Sequence, residues 1–214
     1  MTEHWLTPIR RQHRAERSHV SDSVVDALVE RIRGGRLRQG DQISSAEIAR
    51  EQGVARASVR EAILRLERVG VVVAEPGRFT RVADITADLV AWVGEAAAWD
   101  MAFAAEKGVP ALRGEAVERA RVLAREIGEC AGWSEAVTGP ALRLGQLFAH
   151  AHANALHHAR IRDMAPAIEY FLGAAKTSPD ISLEEISRRL VGAIAARDAR
   201  SAAMVMRRLY APVA

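Results

Sequence analysis

Between Ser21 and Gly34 the apolar residues fall at helical spacing: Val25, Leu28 and Ile32 line one side, Ser21 and Ser23 offer caps, and Gly34-Gly35 ends the run. Residues 1–20 show no such periodicity and predict a disordered basic arm bearing Arg10, Arg11, Arg14 and Arg17. After a turn at residues 37–41 come two short amphipathic segments, near 46–51 and 57–69, separated only by Gln52-Gly53-Val54-Ala55. A tight glycine-bearing turn between two short helices is the helix-turn-helix pattern. The second segment turns Val59, Ala62, Ile63 and Leu66 inward and leaves Arg56, Arg60 and Arg65 on its other, basic faces. The β-branched Val71-Val72-Val73, the turn Glu75-Pro76-Gly77-Arg78 and the stretch 79–82 predict a small hairpin. Three helices plus a hairpin make a winged helix-turn-helix over residues 21–83.

From residue 84 onward helical periodicity takes over, with segments near 86–107, 113–130, 140–160, 162–176, 181–197 and 199–210. Breaks fall at Gly108-Val109-Pro110, Gly132, Gly139-Pro140 and Ser178-Pro179. The fold class is therefore mainly α: a winged helix-turn-helix followed by an antiparallel helical bundle over 84–214. Charge divides the same way. Residues 1–83 carry 15 arginines against 11 acids, whereas 84–214 carry 15 bases against 16 acids. Only Lys107 and Lys176 among the 30 bases are lysines, so the positive charge is almost all guanidinium, the group that matches phosphate and guanine edges. A GC-rich genome also produces that bias, but the N-terminal excess is what a polyanion-binding end requires. The lone Cys130 excludes an internal disulfide and a multi-cysteine zinc site. No run of 18 apolar residues and no signal-peptide core is present, which predicts a cytoplasmic protein without membrane contact.

The residues Gly34, Leu37, Gly40-Asp41, Ile43, Glu47-Ile48-Ala49, Gly53-Val54-Xaa-Arg56-Xaa-Xaa-Val59-Arg60-Glu61-Ala62-Ile63, Leu66 and Gly70-Val71-Val72 resemble the GntR family of bacterial regulators. The helical remainder resembles the FadR branch and its FCD-type domain, with residues 193–206 similar to the closing helix. The resemblance implies a transcriptional regulator, a repressor that binds double-stranded DNA as a homodimer on an inverted repeat, with a small-molecule metabolite as effector. Arg56 and Arg60, one turn apart, become the candidates for base and phosphate contact, with Arg65 and the wing residues Gly77 and Arg78 beside them. Ala55 and Ala57 stand where the family usually has a hydroxyl residue, which leaves Ser58 to supply that chemistry.

The same resemblance implies a metal site built from an aspartate, a histidine four residues later and two further histidines. Here Gly145, Ala149, Ser187 and Leu209 fill those positions, so no metal or other cofactor is expected. His150, His152, Asn154, His157 and His158 cluster instead. On one continuous helix His150, Asn154 and His157 would share a face, and with Arg143 they are the candidate effector pocket. The competing reading is a polar helix face in water. Two other functions compete with the effector-controlled regulator: a dimeric DNA binder without effector, and a helical-domain metalloenzyme using the histidines. The second lacks a nucleophile–base arrangement, so the chain is not expected to be an enzyme.

Overall fold

No glycine, and no proline after Pro8, interrupts the chain before Gly34, and helix α1 runs Leu6–Arg33. The computed structural model describes residues 6–75, 77–175 and 182–211, with side chains from residue 20 onward. Residues 6–20 are thus helical rather than an irregular arm. Arginine, glutamine, glutamate and alanine are good helix formers and propagate a helix even where no apolar stripe marks it. Residues 1–5 of that arm, Pro76 of the turn and Ser178-Pro179 lie outside the described residues.

The chain divides into two units after Asp84. In the first, α1 is followed by α2 (Ser45–Gln52) and α3 (Arg56–Arg68). Ser44 caps α2, its Oγ accepting from the Glu47 amide at 3.3 Å, and Gly53 closes it at φ 65, where a side chain would be strained. Strands β1 (Val72–Glu75) and β2 (Phe79–Val82) pair antiparallel, Val72 opposite Val82 and Glu75 opposite Phe79, with Gly77 at φ 74 in the tip. Val24, Leu28, Val59, Ala62, Leu66, Val71 and Val82 are buried together as the core of this winged helix-turn-helix.

The second unit is helical throughout its described residues: α4 (Ala87–Ala111), α5 (Glu115–Glu129), α6 (Trp133–Thr138), α7 (Pro140–Ala151), α8 (Ala155–Ala167), a π-helical turn (Ile168–Leu172), α9 (Leu183–Ala196) and α10 (Ala199–Tyr210). Helix α4 packs on α7 and α10, and α5 on α9. At Gly108 the α7 backbone comes so near that an added Cβ would sit 2.4 Å from the Phe148 carbonyl oxygen. Two buried hydrogen bonds tie α6 to the end of α10: Trp133 Nε1 donates to the Leu209 carbonyl at 2.7 Å, and the Tyr210 hydroxyl to the Val137 carbonyl at 2.8 Å. The expected helix over 140–160 is broken. Helix α7 stops at Ala151, Ala153 takes φ 56, and Asn154 caps α8 by accepting from the His157 amide at 3.1 Å. The expected helix over 162–176 begins earlier and changes to π geometry after Pro166, which has no N–H to donate to the α-helical ladder. Among the described residues no helix is long and apolar enough to cross a membrane.

Candidate nucleic-acid interface

Helix α3 buries Ser58, Val59, Ala62, Ile63 and Leu66. This broad face leaves Arg56, Ala57, Arg60 and Glu61 exposed on the opposite side. Arg56 and Arg60 are four residues apart, so both guanidinium groups rise from one side of the helix, and neither has an ion-pair partner among the described residues. Ala55, at the N-cap, offers no side chain to the first turn. The amides at the start of α3 therefore point outward with the positive end of the helix dipole, where an anion is favoured.

The remaining predicted contacts are placed differently. Ser58 is 7% exposed and faces the core, because positions 58, 62 and 66 lie along one buried row. It is not on the face that carries Arg56 and Arg60, and that expectation is corrected. Arg65 turns back to α1, where its guanidinium pairs with Asp22, so its charge is engaged inside the unit. Gly77 and Arg78 are exposed at the wing tip, and Arg78 pairs with Glu75 at 2.6 Å across the turn. That pair is solvent-exposed and worth little, so a phosphate can displace the carboxylate. Sequence reasoning passed over Arg36, Arg38 and Arg50, which are all exposed. The N-terminal surplus of arginine was their signal, but they lie outside the recognition helix.

In the helical unit the expected pocket residues part company. Arg143 and His150 line an open cleft of about 900 Å³ between α5 and α7, where Arg143 pairs with Glu126 at 2.6 Å and Glu115, Glu118 and Arg119 complete a mixed-charge wall. Asn154 is spent on capping α8. His157 is buried elsewhere, its Nδ1 3.1 Å from His152 Nε2 and its ring edge-on to Phe103 of α4 at 4.8 Å between centroids. Beside them Arg160 grips the buried Asp100 carboxylate through Nε, at 2.8 and 2.9 Å. The single helical face imagined for His150, Asn154 and His157 does not exist, because the break at 152–154 puts His150 and His157 on separate helices. Burial holds the His157 imidazolium below its ordinary range; Asp100 opposes this, while His152 and Arg160 add to it. His152 is lowered too, chiefly by burial.

The four positions aligned with the metal ligands do not fit a divalent ion. Gly145 faces Met101, whose Sδ lies 2.1 Å from where a Cβ would be, and Ser187 stands against Gly128 of α5. Ala149 and Leu209 are fully buried and offer no donor side chain. Among the described residues no group of three or more histidine, cysteine, aspartate or glutamate side chains is arranged to hold a metal.

Residues 20–82 match the family model of bacterial regulatory proteins, gntR family. The fold is similar to that of E. coli McbR/YncC, at 15% identity and a TM-score of 0.62, covering 89% of this chain and 93% of that one. It is similar also to a transcriptional regulator GntR from Rhodococcus sp. RHA1, at 20% identity and a TM-score of 0.59, covering 86% of this chain and 90% of that one. No curated protein matches the chain by sequence.

Proposed function

With a gntR-family DNA-binding domain at residues 20–82 as the premise, we propose that the protein is a homodimeric repressor that reads an inverted-repeat operator in double-stranded DNA in the bacterial cytoplasm. The observation that carries the reading is the pair Arg56 and Arg60, exposed one turn apart at the open N-terminus of α3. An arginine there can fork onto guanine O6 and N7, and its neighbour can neutralise a phosphate. One winged helix covers half of an inverted repeat, so two copies are needed, and the helical unit is the part that joins them.

Binding of a duplex enriched from a random pool tests this directly. Replacing Arg56 or Arg60 with alanine is expected to cost ~1–3 kcal/mol, a loss of affinity of roughly 5-fold to 150-fold, with an unchanged circular dichroism spectrum. Unchanged affinity in both variants would remove α3 from the interface.

For control of binding, the candidate effector site is the cleft at Arg143 and His150 rather than the histidine group as a whole. A second reading, in which the helical unit only dimerises, is supported by the Met101 thioether seated against Gly145, a position that the resemblance to the FCD-type domain would give to a metal ligand. Metabolite-dependent stabilisation of the chain, lost in Arg143→Ala, separates the two.

A further inference from the structure

Helix α4 shows three large aromatic rings to water. Trp92, Trp99 and Phe103 are 63%, 57% and 40% exposed, and their spacing of seven and four residues aligns them along one side of the helix. A soluble protein rarely leaves three large rings on one helical stripe without a use for them. The charges around the stripe say what the use is. Alongside Trp92 and Trp99 α4 exposes Asp88 and Glu95, while beyond Phe103 its Glu106 is already paired to Lys107, whose ammonium lies 5.7 Å from the Phe103 ring centroid; the neighbouring α10 exposes Arg200, Arg207 and Arg208 and holds no acid in its own span. Arg207 already lies over the Trp99 ring at 4.0 Å. An acidic aromatic ridge beside a basic one, on the same face of one unit, complements a copy of itself turned through a twofold axis: the acids of α4 meet the arginines of α10 in both directions at once.

We infer that the α4–α10 face is the homodimer interface, with the Trp92, Trp99 and Phe103 stripe at its centre and the α4 carboxylates paired to the α10 guanidinium groups of a second copy. The inference rests on the homodimer reading above and gives it a surface. Six rings across the twofold remove on the order of several hundred Å² of apolar area, a substantial core for an interface of ~1,600 Å². The rings serve as the anchors that dominate such contacts, and the charges set the register.

Light scattering and sedimentation of the full chain, with circular dichroism beside them, test it. The wild type is expected to be a dimer at micromolar concentration, and Trp99→Glu to weaken it by about tenfold or more with its helix content retained. Glu95→Arg and Arg200→Glu are each expected to weaken the dimer, and the double reversal to recover it. These exposed charges can be exchanged without touching the core, so the reversal series decides even where Trp99→Glu folds poorly. A dimer untouched by any of these changes would leave homodimerisation standing and overturn this face. A wild type that stays monomeric at tens of micromolar overturns both.

Discussion

His157 shows how much one residue's setting decides. It is buried, its Nε2 finds no hydrogen-bond partner among the described residues, and the lowered proton affinity that burial imposes means the folded chain prefers the neutral ring. The unfolded chain, with an imidazole of pKa ~6.5, takes up a proton first as pH falls, so stability is held above ~6.5 and lost as pH drops from there through the lower folded value. The melting temperature is expected to fall over that window, and His157→Phe to flatten the fall, with His152 leaving a remainder. Equal slopes in the variant and the wild type would show that His157 does not set the acid limit. Residue-scale legibility was uneven. The exposed placement of Arg56 and Arg60 was readable because the turn at Gly53 fixes where α3 starts. Ser58 was misplaced because its hydroxyl suggested phosphate, although its spacing of four and eight residues from Ala62 and Leu66 already put it in the buried row. Arg65 could not be read from local pattern at all, since Asp22 lies 43 residues away in sequence.

At the scale of elements, the closest helix contacts rest on glycines of two kinds. A Cβ at Gly108 meets the backbone and Cβ of Phe148, which cannot move without shifting α7, whereas a Cβ at Gly145 meets the thioether of Met101, a flexible side chain. Gly108→Ala is therefore expected to destabilise by ~1–3 kcal/mol despite the better helix propensity of alanine, and Gly145→Ala by clearly less. At roughly 2–4 °C per kcal/mol for a chain of this size, thermal melts resolve the two, and the reverse order would contradict the packing described for α7. Glycine and proline made most boundaries visible in the sequence. The break between α7 and α8 was hidden because Ala153, not a glycine, takes the left-handed conformation there, and the hydrophobic pattern runs straight through it. Helix α6 was missed for a different reason: its six residues are too short to show a period.

For the whole molecule, the uneven charge of the two halves makes a prediction that no single contact does. Arginine contacts to phosphates release counterions, so the logarithm of affinity is expected to fall with the logarithm of salt at a slope near −0.9 per neutralised phosphate. An affinity flat between roughly 50 and 200 mM salt would mean that the basic half is not the binding surface. This division was legible from the distribution of arginine alone; the identity of the pocket was not, because it depends on which helices face each other.

The ties from α6 to the end of α10 have a consequence in time. Helix α4 packs on α10, and Tyr210 and Leu209 complete the bonds to Val137 and Trp133, so the helical unit cannot close until its final helix has been made. The winged helix is complete by Val82. At ~5–20 residues per second a ribosome takes roughly 6–25 s to travel from residue 84 to residue 210. Throughout that interval the nascent chain carries a finished head on a string of helices whose apolar faces are still bare, which makes it a period for chaperone engagement and not for assembly.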